Sequence, residues 1–364
     1  MAWRGYTGLL RTALSDLPPV IDQSIEPSWP LEVAAQVLAL RQLRALGKCH
    51  ELALVGERVA GVHQLRMACG RLRVLLTRVA GVWPRKQLKP LRKSVAKLSK
   101  ALGQARDCDV EISRLCERIS RVHDAEERAV RWLWNRAVGA RNREHQAVVS
   151  ALDNFAAEGW FDRLADFFST TPVDLVSWTG SISAEGAEYP TVGQALPGLI
   201  EAEVESVWQL TWVLSEPAGH DGYHDLRLAG KGLRYLLEAF GTCLKQKPRK
   251  LTKPLRRCQK VLGELHDGEL QVIQLIDLLS DHGKGLKRIM LDAVKTEGET
   301  DELGDLAHQA ARVCHDLPAE GLAIYLAALA DRRAVLRNEL VIIWEVLEET
   351  GYRERLKHAA ELSS

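Results

Sequence analysis

A fourteen-residue stretch of this chain occurs twice, and that duplication limits the fold more than any other feature. HQLRMACGRLRVLL at 63–76 aligns with HDLRLAGKGLRYLL at 224–237 at an offset of 161, with 8 identities in 14 positions. Average residue usage would give about one. Further along, KSVAKLSKALGQARDCDV (93–110) aligns with KPLRRCQKVLGELHDGEL (253–270) at an offset of 160. Lys93/Lys253, Lys100/Lys260, Leu102/Leu262, Gly103/Gly263 and Asp107/Asp267 are identical, and Lys97/Arg257 and Asp109/Glu269 keep their charge. A period near 160 is too long for a stacked solenoid repeat. It predicts two similar halves related by a pseudo-two-fold axis.

Helical periodicity dominates both halves, and no run alternates as a half-buried strand would. The pattern predicts helices at 31–55, 57–80, 87–103, 109–122, 125–157 and 160–168, then at 193–215, 222–242, 249–265, 269–281, 284–296, 305–315 and 319–349. The expected organisation is an N-terminal extension (1–30), a first half (31–169), a linker (170–190), a second half (191–350) and a tail (351–364). Long amphipathic helices joined by short loops give an all-α fold of two antiparallel bundles.

The formal net charge of +1 hides a segregation. Val62 to Arg106 holds 12 Lys or Arg and no acid, and His224 to Lys260 holds 11 with only Asp225 and Glu238 against them. A solvated helix face normally mixes both signs for i,i+4 pairing, so these blocks point to an anionic partner. Projection at 100° per residue separates the faces. Leu65, Cys69, Leu72, Leu76 and Val79 form one apolar stripe, with His63, Arg66 and Arg73 turned away from it; Arg71 adds a further cation. The second copy repeats this with His224, Arg227, Lys231 and Arg234. On the next helix Lys89, Lys93, Lys97 and Lys100 oppose Leu91, Val95, Leu98 and Leu102. Lys253, Arg257 and Lys260 likewise oppose Leu255, Cys258, Leu262 and Leu265.

The signature H-x-L-R-x-A-x-x-x-L-R-x-L-L, present in both copies, resembles that of the CHAD family, the conserved-histidine α-helical domain. So does the later L-G-x-x-R/H-D-x-D/E stretch at 102–109 and 262–269. The resemblance implies two helical bundles around a basic central groove or pore, binding of inorganic polyphosphate without catalysis, and association with polyphosphate granules in the cytoplasm. The basic faces projected above then give the expected binding residues as His63, Arg66, Arg71, Arg73, Lys89, Lys93, Lys97, Lys100, His224, Arg227, Lys231, Arg234, Lys253, Arg257 and Lys260. The family often has basic residues at both the seventh and eighth positions after the histidine. Here Gly70 precedes Arg71, and Lys231 precedes Gly232, so each copy lacks one cation.

The residues by themselves lead to the same ligand class. Polyphosphate offers charge and no base to read, so its site needs cations in rows. Single-strand binding would interleave aromatics, yet among the tryptophans only Trp83 lies inside a basic block. Non-specific nucleic-acid binding is the alternative, followed by an accessory role beside a phosphate-metabolising enzyme. No cofactor, zinc site or membrane partner is expected: His63 and His224 lack a second ligand at metal spacing, and no apolar run reaches ~20 residues. Seven scattered cysteines without a C-x-x-C pair fit a reducing compartment, and the N-terminus lacks a signal-peptide pattern. Gly103 and Gly263 read as helix ends, which makes Asp107, Asp109, Asp267 and Glu269 caps of the following helices.

Overall fold

The structure is a computed structural model, and it describes residues 17–55, 58–175, 190–215, 220–280 and 318–360. Among these, ten α-helices account for the architecture and no strand forms. They are α1 (Leu31–Val55), α2 (Arg58–Arg78), α3 (Arg85–Ile119), α4 (Asp124–Ala157) and α5 (Trp160–Thr170), followed by α6 (Val192–Trp208), α7 (His220–Ala239), α8 (Pro248–Ser280), α9 (Ala319–Glu349) and α10 (Tyr352–Lys357). The expected helices at 284–296 and 305–315, residues 1–16, most of the 170–190 linker and the last four residues lie outside the described residues.

Each long helix packs on its successor, α1 on α2, α2 on α3 and α3 on α4, and likewise α6 on α7, α7 on α8 and α8 on α9. Across the halves α2 meets α7, α4 meets α9, and α1 meets α6. The starts of α1 and α6 are stitched together by an isolated bridge between Pro30 and Thr191. Val192 N–H donates to the Trp29 carbonyl at 2.8 Å, and Leu31 N–H donates to that of Pro190 at 3.0 Å. Thr191 also caps α6, through a reciprocal exchange with Gln194 that satisfies two otherwise orphaned amides.

The apolar stripes read from the sequence are the core. Leu65, Cys69, Leu72, Leu76, Leu91, Val95, Leu98, Leu102, Leu255, Cys258, Leu262 and Leu265 are all buried. They belong to one large cluster that runs through both halves. A second, smaller cluster lies at the far ends of α3 and α8, where Leu115, Val272, Leu275 and Ile276 meet Ala129, Val130, Leu322 and Leu326 from α4 and α9.

Several expectations are corrected. Gly103 and Gly263 do not end helices: α3 and α8 run unbroken through them. A helical glycine costs only about 1 kcal/mol relative to alanine, which burial of Leu98, Leu102, Ala105 and Leu115 along one side outweighs. Asp107, Asp109, Asp267 and Glu269 therefore sit within helices and cap nothing. The helix expected at 193–215 stops at Trp208 and is followed by a 3-10 turn at Thr211–Leu214. Residues assigned to the tail form α10, whose Tyr352 and Leu356 are buried against the large core. In the N-terminal extension, Ile21 and Ile25 are buried in the same core.

Candidate functional site

The two signature helices bring their cations together where α2 crosses α7. Gly70 lies at the crossing: a Cβ there would be in ordinary contact, 3.6 Å from both Lys231 Nζ and the Tyr235 ring. Lys231 Nζ stands 5.4 Å from the centre of that ring, Arg234 at 4.7 Å and Arg71 at 5.7 Å. Tyr235 is thus an aromatic floor beneath three cations, a contact that offsets part of their mutual repulsion. Burial pushes the Lys231 amine down to about 8, helped by the charges of Arg66, Arg227, Arg234 and Arg73. Burial likewise lowers Arg227, against the opposing pull of Asp267. Packing five cations this closely is unfavourable by itself, and an anionic ligand relieves it.

The missing cation of the second copy has a steric cause. A Cβ at Gly232 would sit 2.8 Å from Glu203 Oε2 and 3.1 Å from Arg78 Nη2. Those two groups form a 2.8 Å ion pair, with Glu203 only 6% exposed, that ties α2 to α6 beneath α7.

The carboxylates mistaken for caps hold the site in place. Asp107 pairs with Arg66 at 3.5 Å, and Asp267 with Arg114 at 2.9 Å. Burial raises Asp107, while Arg66 opposes the rise and the charge of Asp267 adds to it, so the two aspartates sense each other. Asp109 accepts a hydrogen bond from Arg141 of α4 at 3.1 Å, and Glu269 pairs with Arg333 of α9 at 3.4 Å. Asp109 and Glu269, aligned in the two copies, are therefore each anchored by an arginine from a later helix of the same half. The histidines also have matching neighbours. Burial and the charges of Arg106 and Arg66 hold His63 below its ordinary value. His224 stacks on His266, the residue aligned with Arg106, with ring centres 4.6 Å apart.

Of the expected site residues, Arg66, Arg71, Arg73, Arg227, Lys231 and Arg234 gather around this crossing. Lys89, Lys93, Lys97 and Lys100 form an exposed row on α3, and Lys253, Arg257 and Lys260 one on α8. Arg73 joins the first row to the crossing by donating to Ser99 Oγ at 3.3 Å, beside Lys100. Lys260 opens onto a cleft of about 820 Å³ between α3, α8 and α9, lined also by Arg106, Arg114, Arg118, Arg332 and Arg333. Tyr235, Glu238 and the second-element acids were missed as site residues. Tyr235 replaces Val74 of the first copy, which was the available signal. Among the described residues no group of three or more potential ligands could hold a metal ion, and no helix is long and apolar enough to cross a membrane.

A CHAD domain family model matches residues 38–275. The structure is similar to that of PptA from Streptomyces chartreusis, with a TM-score of 0.58 and 17% identity over 87% of this chain and 99% of that one. It is also similar to the CHAD domain from the plant Ricinus communis, with a TM-score of 0.52 and 19% identity over 82% of this chain and 94% of that one. No curated protein matches the sequence.

Proposed function

The chain belongs to the CHAD domain family, and from that premise we propose that it binds inorganic polyphosphate and carries out no chemistry on it. The observation that carries this reading is the crossing of α2 and α7, where Arg66, Arg73, Arg227 and Arg234 surround a desolvated Lys231. A polyanion would compensate the charge concentrated there along its length. Guanidinium groups suit phosphate oxygens through paired, charge-assisted hydrogen bonds. The exposed rows on α3 and α8 then extend the track on either side. Asp107 and Asp267 are engaged by arginines, which makes them positioning groups for the cations rather than bases. A protein with this preference would collect on polyphosphate granules.

Titration settles the ligand. Long-chain polyphosphate, tripolyphosphate and duplex DNA are each added to the labelled protein at two salt concentrations and followed by fluorescence anisotropy. Long chains reach both halves at once, which raises the effective concentration of the second contact. They should bind far more tightly than tripolyphosphate and displace DNA at equal phosphate concentration. DNA that holds its place against excess polyphosphate would transfer the site to nucleic acid.

A further inference from the structure

Glu238 is one of two acids in the second basic block, and guanidinium groups from three helices converge on it. Arg71 of α2 lies 3.6 Å from Oε2, while Arg234 of α7 and Arg256 of α8 lie 3.3 and 2.9 Å from Oε1. Arg71 and Arg256 are 43% and 51% exposed, whereas the Glu238 side chain is 18% exposed. Arg71 and Arg234 also rest on the Tyr235 ring that carries Lys231. The matching position in the first copy is Thr77, whose hydroxyl donates to the Arg73 carbonyl at 2.8 Å. Of the two aligned positions, only that of the second copy carries a carboxylate, at the seam where α2, α7 and α8 meet.

We propose that Glu238 is a built-in counter-anion, which stands in the unliganded protein where a phosphate of the bound chain stands in the complex and thereby limits affinity. The inference rests on the polyphosphate reading of this site. Three guanidinium groups so close together repel one another, and one carboxylate shared among them keeps them ordered. Arg71 and Arg256 have heads that reach solvent and can turn to an arriving phosphate, while Arg234 stays anchored. Once they turn, the carboxylate faces the polyanion with fewer charges to screen it. Binding therefore proceeds against a repulsion that the first copy lacks.

The variant Glu238→Gln keeps the shape and removes the charge. The unliganded protein loses the anion that orders three arginines, but the complex regains one from the polymer. We expect a lower melting temperature without ligand and binding of long-chain polyphosphate about fivefold tighter at low salt. The plot of log affinity against log salt should steepen by about one contact. A glutamate with a structural role alone would lower the melting temperature and leave affinity unchanged or weaker, and that result overturns the proposal. Should Glu238→Gln fail to fold, Thr77→Glu asks the same question at an exposed position. It recreates beside Arg73 the i,i+4 pair that Arg234 has with Glu238, and should weaken binding about fivefold; unchanged affinity there also overturns the proposal. The wild type is titrated alongside. Its failure to bind polyphosphate would remove the site reading itself, whereas binding that Glu238→Gln does not tighten removes only the counter-anion.

Discussion

Replacing Lys231 with methionine should make the protein more stable at neutral pH and a poorer polyphosphate binder. Methionine retains the apolar stem that packs beside Gly70 and the Tyr235 ring, and drops only the ammonium. The folded-state value near 8 lies below the ordinary lysine value of 10.5, so folding disfavours the charged form. At about 1.36 kcal/mol per pH unit that gap amounts to ~3 kcal/mol as an order of magnitude. The unfolded chain binds more protons between pH 8 and 10.5, so this residue's contribution to stability rises with pH across that window. Below pH 8 the full penalty is present; above 10.5 it is gone. Urea denaturation of wild type and Lys231→Met at pH 7 and pH 10 reads the effect directly. The variant should be ~1–3 kcal/mol more stable at pH 7, and most of that advantage should vanish at pH 10. Bound phosphates restore the lysine's affinity for a proton, so the wild type should take one up on binding near pH 8.5. Calorimetry in two buffers of different ionisation heat measures that uptake, which the variant should lack. A variant less stable at pH 7, or one whose difference from wild type ignores pH, would refute the idea of a strained cation at the crossing.

The triple variant Lys93→Ala, Lys97→Ala, Lys100→Ala should keep its melting temperature, because these side chains are exposed, and should lose affinity most at low salt. Its salt slope should flatten by about two contacts, which anisotropy at four salt concentrations detects. Asp109→Asn should cost ~2–3 kcal/mol in chemical denaturation, since Arg141 is 18% exposed and would keep its charge without its acid. Gly321→Ala should be more damaging still: its Cβ would fall 2.0 Å from the Ala125 carbonyl oxygen where α9 crosses α4. Thermal melting should show the loss, and a variant that melts like wild type would place the crossing elsewhere.

The parts of this molecule legible in the sequence are those set by local periodicity. Leu65, Leu72, Leu76, Leu98, Leu102, Leu262 and Leu265 lie at helical spacing, and all are buried. On α3 and α8 the opposite faces carry the exposed lysines. What the sequence obscured depends on tertiary contact. Gly103 and Gly263 looked like helix ends because local preference for helix drops at glycine. The decisive energy came from leucines on neighbouring turns that only the folded core rewards. Asp107 and Asp109 lie two apart on one helix and face different partners, Arg66 of α2 and Arg141 of α4, which no spacing rule within a single helix would reveal. Tyr235 gained its meaning from three cations arriving from α2 and α7. The repeat alignment did identify which residues play matching parts: His63 beside Arg106 and His224 beside His266.

The unbroken course of α3 and α8 makes these helices two struts, about 50 Å long at 1.5 Å per residue, shared by apolar cores of unequal size. The apolar sides of their first turns, opposite the two exposed lysine-rich rows, are embedded in the large core, and their last turns are held by the small one around Leu115 and Leu275. Cooperative units of unequal size open at unequal free energies. Backbone amides near the ends of α3 and α8 should therefore exchange with deuterium together, and sooner than those of α2 and α7. The protein would thus loosen at one end while its cationic crossing stays assembled, so a polymer gripped there would be retained through excursions that release the far ends of both struts.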